Sequence, residues 1–508
     1  MANLLVCCDG TWNAEDNKDN GEPVPTNVRQ IFNCLQAIPG EQETRYQSGV
    51  GTGGIFDKVL GGALGIGISE DIRDCYQWLS DKYRSGDRIF LFGFSRGAFS
   101  ARSLAGMICR YGLADFSVCD ATEREEVVSE IYSKGYREKG SREMLLSLDM
   151  NIRFYPDSDK VFFIGVWDTV GALGIPDDKA LLDLFDDPKH YAFHDTTLSP
   201  SVSFARQALA IDERRGSFAP TLWEKDSNNT TSDLLQKWFP GVHSDVGGGY
   251  KQNGLSDGAL MWMIEELQKA APDINWNENL IKQIKPDYQA LLHDSHIGVM
   301  KALITVPRTI PNIRSREDEY HVSALLRHDD PPREQGQYLN IRTLLPGEKL
   351  VIDIYARHQY NWIGIYLEAG KEYRFSAEGA WADSTIACGP KGEGGEAFNA
   401  QEILRTFGTL IGKVENTVFH ELLGRENANF VGSKRHDEYP WFCLVGAIAN
   451  GANPKLDGTV ASMESFMIGE HNTHKVEKSG YLYCYANDAW AFYANNRGYL
   501  TLTIEEVG

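Results

Sequence analysis

The sequence predicts a two-part protein: an α/β region built on a parallel sheet flanked by helices, followed by a C-terminal β-sandwich. In the first region, short apolar runs such as residues 89–94 and 161–167 alternate with helical patterns. Apolar strands without polar interruption are typical of parallel sheets that helices cover on both faces. Beyond about residue 342, apolar residues recur with period two between turns rich in Gly, Pro and Asn. This second pattern predicts the β-sandwich.

Composition excludes several functional classes. The chain has 508 residues and a formal net charge of −21. Nucleic acids and anionic lipids both attract basic surfaces, so we expect neither a nucleic-acid partner nor simple electrostatic docking on membranes. The apolar stretches fall far short of the about 20 residues that a transmembrane helix needs. The nine cysteines contain no CxxC pair, which predicts reduced thiols rather than a zinc or redox site.

The elements of the first region follow from local patterns. An apolar strand at residues 4–8 ends in the turn pair Asp9-Gly10. Helical spacing and apolar runs then predict, in order, a helix, a strand, a helix, a strand and a helix, at residues 67–84, 88–94, 99–108, 161–167 and within 254–271. A polar, Pro-rich linker at residues 329–336 predicts that the first domain spans residues 1–335.

The second domain is predicted over residues 342–508. Four of its strands are indicated by alternating patterns, at residues 350–355, 373–377, 480–485 and 499–504. A helix-like segment at residues 401–423 interrupts them. The β-sandwich therefore carries an insertion.

The strongest chemical signal is the pentapeptide Gly93-Phe94-Ser95-Arg96-Gly97, which fits the GxSxG nucleophile elbow. The motif requires a strand before the serine and a helix after it, and both are predicted here. Glycines flank the serine because a side chain there would collide with the neighbouring backbone. We therefore predict that Ser95 is a nucleophile.

A serine nucleophile needs a base, and the base needs an orienting acid. Asp168 directly follows the predicted strand 161–167, at the same edge of the sheet as the elbow. His243 lies where an apolar strand runs into a glycine-rich loop. The order Ser95, Asp168, His243 is that of α/β-hydrolases. The alternatives left open are Asp245 for the acid and, for the base, His190, His194 and His321.

An oxyanion hole needs two donors. We predict the backbone N–H of Arg96 and that of Gly10 or Thr11; the alternative for Gly10 and Thr11 is an ordinary turn after a strand.

The glycine-rich segment 49–54 lacks the GKS/T ending of a phosphate loop, so no nucleotide is predicted. No cofactor is expected in the catalysis. The apolar residues 53–68 are interpreted as a mobile wall or a buried packing segment.

At these residues the chain resembles a family of hydrolases that includes phospholipase effectors of the bacterial type VI secretion system. The matching motifs cover about residues 1–330: Cys8-Asp9-Gly10-Thr11-Trp12-Asn13, Thr26-Asn27-Val28, Gly49-Val50-Gly51-Thr52, the elbow, Trp167-Asp168-Thr169, Asp212-Glu213-Arg214-Arg215 and Gly241-Val242-His243-Ser244-Asp245. The resemblance implies an α/β-hydrolase fold and a triad of Ser95, Asp168 and His243. For some members it implies ester hydrolysis on phospholipids, and partners among secretion-system and immunity proteins.

The C-terminal part is similar to small calcium-dependent galactose-binding bacterial lectins. The similarity rests on residues 378–383, 388–392, 444–448, 485–488 and 495–498. It implies a calcium site with oxygen ligands from Asp488, Asn495 and Asn496, and a glycan as partner. The alternative is an Asn- and Asp-rich turn between two strands.

Together these observations predict a serine esterase or lipase that cleaves carboxylic esters, with phospholipid as the expected substrate. The alternatives are a glycan-binding protein on a hydrolase scaffold and an esterase for a non-lipid ester. The N-terminal residues lack the basic and apolar segments of a signal peptide. We expect synthesis in the cytoplasm without a cleaved leader, and the resemblance implies export as an effector.

Overall fold

The computed structural model describes residues 1–10, 18–19, 22–49, 63–148, 150, 152–170, 196–296, 305–383, 386–392, 434–450, 463–490 and 493–507. The chain divides into two compact units. The described residues of the first unit lie within Met1–Ser295 and Arg316–Tyr338, and those of the second lie within His296–Ser315, Leu339–Ala452 and Ser462–Gly508.

A six-stranded parallel sheet forms the centre of the first unit, in the order β4-β1-β5-β6-β7-β8. Its strands are β1 (Asn3–Cys8), β4 (Gln42–Gln47), β5 (Arg88–Phe94), β6 (Val161–Trp167), β7 (Val202–Ala210) and β8 (Asp233–Phe239). A separate antiparallel pair is formed by β2 (Lys18–Asp19) and β3 (Glu22–Pro23). The prediction of a parallel sheet is confirmed.

Helices flank this sheet, as predicted. Their bounds are α1 (Asn27–Cys34), α2 (Ala63–Lys82), α3 (Arg96–Tyr111), α4 (Ala121–Glu130), a π-helix (Ile131–Arg137), α5 (Arg142–Leu146), α6 (His243–Gly247), α7 (Gly254–Ala270), α8 (Glu278–Ile281) and α9 (Val322–Asp329). Short 3₁₀ turns span Gly216–Phe218 and Glu317–Glu319.

The two faces of the sheet bury alternate residues of β1 in separate cores. Leu4 and Val6 pack in a cluster with residues of α2 and α3. Leu5 and Cys7 pack in another cluster with residues of α1 and α7. Because both faces are covered, every residue of β1 is buried, which explains its uninterrupted apolar pattern.

The second unit contains antiparallel sheets. Their strands are β9 (Lys349–Tyr355), β10 (Asn361–Leu367), β11 (Glu372–Asp383), β12 (Ile386–Cys388), β13 (Leu444–Asn450), β14 (Glu464–Met467), β15 (His471–Lys475), β16 (Gly480–Ala486) and β17 (Asn496–Val507), with a 3₁₀ turn at Tyr493–Asn495. One sheet has the order β10-β16-β13-β14. The other has the order β12-β11-β17-β9, and β15 also pairs with β11.

Side chains from both of these sheets meet in one core. Phe375 on β11 and Leu502 on β17 belong to the same buried cluster as Ile365 on β10 and Leu482 on β16. The four strands predicted for this region are present. The predicted helix at residues 401–423 lies outside the described residues. Within the described part of the chain, no helix has the length and apolar character needed to cross a membrane.

Candidate active site

Ser95 occupies a strained turn between β5 and α3. Its backbone has φ 58° and ψ −122°, in a region that non-glycine residues rarely adopt and that clusters at functional sites. The flanking glycines allow the turn. A Cβ on Gly93 would lie 2.4 Å from the Gly97 carbonyl oxygen, and one on Gly97 would lie 2.2 Å from that of Cys8. Ser95 therefore lies in a tight strand-to-helix turn that tolerates no side chain at either flanking glycine.

Asp168 and His243 form a buried pair. Asp168 directly follows β6, and His243 is the first residue of α6. His243 Nδ1 lies 2.6 Å from Asp168 Oδ2. The backbone N–H of Ala210 donates to the other carboxylate oxygen at 3.0 Å. A carboxylate only accepts, so Nδ1 carries the proton and Nε2 is left as the basic nitrogen.

The elbow and this pair lie at the same edge of the sheet. The Ser95 N–H donates to the Trp167 carbonyl at 3.1 Å, one residue before Asp168. The ring of Phe94, the residue before Ser95, lies 4.6 Å from the ring of His243. The structure thus brings the three predicted residues to one carboxyl edge, with Asp168 and His243 in direct contact.

The surroundings of His243 favour its neutral form. Burial lowers the pKa of His243 below the ordinary 6.5, while the hydrogen bond to Asp168 opposes this shift. Phe94 and Phe218 flank the ring, with the Phe218 ring centroid at 4.9 Å. A neutral, oriented imidazole is what a general base requires.

Glu213 holds the backbone of the histidine. The His243 N–H donates to Glu213 Oε2 at 3.2 Å. Arg215 donates to both oxygens of the same carboxylate, at 2.9 and 2.8 Å, and Ser295 Oγ donates at 2.9 Å. No role was predicted for Glu213 from the sequence. The sequence feature that could have pointed to it is the charged run that follows β7 and contains this residue.

Asp245, two residues after His243, forms a second Asp–His pair. His293 Nδ1 is 2.6 Å from Asp245 Oδ1. The backbone N–H groups of Val242 and His293 donate to Asp245 Oδ2 at 3.0 and 3.1 Å. The ring of Tyr250 stacks on His293 at 4.0 Å. Asp245, the alternative acid, therefore orients a histidine that sequence reasoning missed.

The other alternative bases fall into two groups. His321 caps α9, where its Nδ1 accepts the Ser323 N–H at 3.2 Å, and its ring stacks on Phe239. Burial lowers the pKa of His321 to about 4. These contacts show His321 capping a helix and packing on an aromatic ring. His190 and His194 lie outside the described residues.

The predicted oxyanion donors are only partly described. Arg96 is the first residue of α3, so its N–H lies at the helix N-terminus behind the nucleophile. The Gly10 N–H donates to Asp9 Oδ1 at 2.7 Å. Burial raises the pKa of Asp9 to about 6, although hydrogen bonds from Thr26 and Tyr46 oppose the shift. Thr11 lies outside the described residues.

The predicted calcium ligands lie near a further carboxylate in the second unit. Asn496 Nδ2 donates to Asp488 Oδ2 at 2.8 Å, and Asn495 Nδ2 donates to Asp383 Oδ1 at 2.8 Å. Asp383 faces Asn496 across β11 and β17. Among the described residues, no group of three or more His, Cys, Asp or Glu could hold a metal ion. Any site here would thus depend on amide oxygens.

Comparisons with solved structures give weak similarities. An uncharacterised protein from Pseudomonas aeruginosa matches at a TM-score of 0.32 and 16% identity, over 57% of this chain and 49% of that one. The N-terminal domain of EclA, a PllA-like lectin, matches at a TM-score of 0.17 and 15% identity, over 31% of this chain and 94% of that one. At these scores neither establishes a fold or a function.

Sequence comparisons are more informative. An uncharacterised protein of Saccharomyces cerevisiae is 32% identical over 238 residues, which are 42% of this chain and 32% of the relative. The chain thus spans about a third of the length of this curated relative. Residues 2–266 match the model of the catalytic domain of Tle1-like type VI secretion phospholipase effectors. Because that match covers more than half of this 508-residue chain, the chain belongs to the Tle1-like phospholipase effector family.

Proposed function

We propose that the chain is a serine hydrolase with an α/β-hydrolase fold that cleaves carboxylic ester bonds of phospholipids. The observation that carries the proposal is the buried 2.6 Å contact between His243 Nδ1 and Asp168 Oδ2, at the edge where Ser95 occupies its strained turn. The family, whose members are described as phospholipase effectors, supports a lipid ester as the substrate.

In the proposed mechanism, His243 Nε2 takes the proton of Ser95 Oγ as that oxygen attacks the ester carbonyl. Asp168 keeps the imidazole oriented and stabilises its charged form. His243 then gives the proton to the leaving alcohol, so the C–O bond breaks and an acyl-serine remains. Water, deprotonated by His243, hydrolyses that acyl-serine and regenerates the enzyme.

Two amides would stabilise the oxyanion in this scheme. The Arg96 N–H supplies one. The second comes from Gly10 or Thr11. For Gly10 this requires that its N–H leave Asp9 Oδ1, to which it donates in this structure.

Phospholipid vesicles test the proposal. Wild type should release fatty acid and lysolipid, measured by mass spectrometry, and Ser95→Ala should lower the rate by about 10⁴-fold or more because the nucleophile is lost. Ser100→Ala, another buried serine of α3, is the matched control and should retain activity. Equal turnover by wild type and Ser95→Ala would refute the role of Ser95.

The alternative substrate is a non-lipid ester. It would be favoured if wild type cleaved a soluble p-nitrophenyl ester with the same dependence on Ser95 but released no lysolipid. The net charge of −21 makes this comparison informative, because an acidic enzyme gains nothing from electrostatic attraction to anionic vesicles.

We further propose that Asp488, Asn495 and Asn496, joined by Asp383, can hold a calcium ion in the second unit. The buried Asn496 Oδ1 has no hydrogen-bond partner among the described residues. Carboxylate and amide oxygens suit calcium. The ion would fix the loop between β16 and β17 and would take no part in ester hydrolysis.

Thermal unfolding tests the calcium proposal. Burial raises the pKa of Asp488 to about 7, so protons should compete with calcium below that pH. Millimolar calcium should therefore raise the melting temperature more at pH 8 than at pH 6, and Asp488→Asn should reduce the effect. No calcium-dependent shift at either pH would contradict the site.

For the whole chain, we propose a catalytic domain over residues 1–335 and a lectin-like β-sandwich over residues 342–508. The family description supports export by a secretion system as an effector. A glycan, secretion-system components and an immunity protein are the proposed further partners.

A further inference from the structure

A cavity of about 420 Å³ lies in the first unit beside the C-terminal half of α3. The π-helix and the turn after it, the segment that enters β7, Ile164 of β6 and Trp223 form further parts of its wall. Its described lining includes the three cations Arg102, Arg110 and Lys139, and none of the described lining residues is Asp or Glu. The chain as a whole has 71 acidic and 50 basic residues, so three cations and no acid among the described lining residues are unusual for this protein.

Arg102 brings a buried cation to this cavity. It donates to the carbonyl oxygens of Thr221 and Leu222, at 2.5 and 3.3 Å, and its guanidinium stacks 4.3 Å over the Trp223 ring. Burial lowers the pKa of Arg102 to about 9, so the guanidinium is still charged at neutral pH.

Lys139 is held at the cavity by its backbone. It has φ 57°, a left-handed conformation that costs a non-glycine residue free energy. Arg110 Nη2 donates to its carbonyl oxygen at 2.9 Å. An exposed lysine in a strained, tethered turn is thereby positioned at the rim beside Arg110.

The remaining wall is largely apolar. It includes Ala105, Ile164, Leu198 and Val202. At Gly106, an added Cβ would approach the Tyr136 ring to 3.4 Å, so the glycine leaves space there. The cavity thus combines cations with a hydrophobic surface, and its volume is in the range of small-ligand sites.

Hydrogen bonds link Arg102 to residues next to the candidate active site. The Thr221 carbonyl, which accepts from Arg102, also accepts from Gln207 Nε2 at 2.9 Å. The Thr221 N–H donates to the carbonyl of Thr169, the residue after Asp168, at 2.9 Å. Three residues earlier, Phe218 packs against His243.

We propose that this cavity binds a phosphate monoester whose carbon skeleton packs against the apolar part of the wall. Arginine and lysine recognise phosphate by charge-assisted hydrogen bonds, and the apolar wall accommodates the carbon skeleton. The proposal does not depend on the chemistry of Ser95. Two sources share the ligand chemistry, a free sugar or glycerol phosphate and a lipid whose headgroup is a phosphate monoester.

Calorimetry on the full chain tests the proposal, with Ser95→Ala used to prevent turnover. The probes are glycerol 3-phosphate and dihexanoyl phosphatidic acid, the latter below its critical micelle concentration. We expect saturable binding of at least one probe. Binding of phosphatidic acid alone assigns the lipid source, and binding of glycerol 3-phosphate assigns the free ester.

A charge-reversal variant at the rim tests whether the probes bind in this cavity. Lys139→Glu should weaken binding at least about tenfold, because it replaces attraction by repulsion. Lys282→Glu, an exposed lysine elsewhere on the first unit, is the charge-matched control and should bind like the parent. No saturable binding of either probe, or equal affinity in the Lys139→Glu and parent proteins, would overturn the proposal.

Discussion

At the scale of single residues, the environment of His243 sets the pH range of the proposed reaction. A general base must be neutral, and kcat/KM rises as the base loses its proton. Because burial lowers the pKa of His243 below 6.5, the acidic limb of the pH–rate profile should have its midpoint below pH 6.5.

Phe218→Ala provides the comparison for that profile. Removing this ring should hydrate His243 and move the midpoint toward the ordinary value of histidine. A wild-type midpoint above 6.5, or one that Phe218→Ala shifts to lower pH, would contradict the dominant role of burial.

Residue-level chemistry was only partly predictable from the sequence. Ser95 has a local signature, and Asp168 follows a recognisable strand. Glu213 reaches the His243 N–H across 30 residues and Asp245 reaches His293 across 48. Such distant partners leave no local pattern, because chain topology alone brings them together.

At the scale of elements, α6 is positioned by side chains that do not themselves enter the proposed reaction. Asp245 joins the start of α6 to His293 through both carboxylate oxygens. We therefore propose that Asp245 positions His243. Displacing a catalytic group by about 1 Å can cost about 10²-fold in rate.

Asp245→Asn should lower kcat about tenfold or more while leaving KM nearly unchanged, since the substrate-binding surface is retained. The control is Asp294→Asn, a neighbouring carboxylate that is 57% exposed. Steady-state kinetics and melting temperature should be measured together. An unchanged kcat in a folded Asp245→Asn protein would show that the second pair does not position His243.

Element prediction succeeded where the pattern is local. The helix predicted at residues 67–84 is α2, and the strand at 88–94 is β5. The edge strand β4 was missed because its sequence, Gln-Glu-Thr-Arg-Tyr-Gln, has almost no apolar residues. Strand pairing rather than burial defines it.

At the scale of the whole molecule, the net charge of −21 acts on how the chain reaches its substrate. The three cations of the cavity beside α3, Arg102, Arg110 and Lys139, form a local exception to the negative charge of the chain. For the proposed lipid substrate, contact with the lipid surface would otherwise have to come from apolar segments, from bound calcium or from a partner. The two units and their sheet types follow from sequence periodicity, whereas the cavity depends on distant segments.

The central claim is that Ser95 is an activated nucleophile. The most direct measurement is labelling with a fluorophosphonate probe, followed by peptide mass spectrometry of the adduct. We predict one adduct on Ser95, formed much more slowly in Asp168→Asn because His243 loses its orientation. An adduct on another residue, or equal labelling of wild type and Ser95→Ala, would contradict the account.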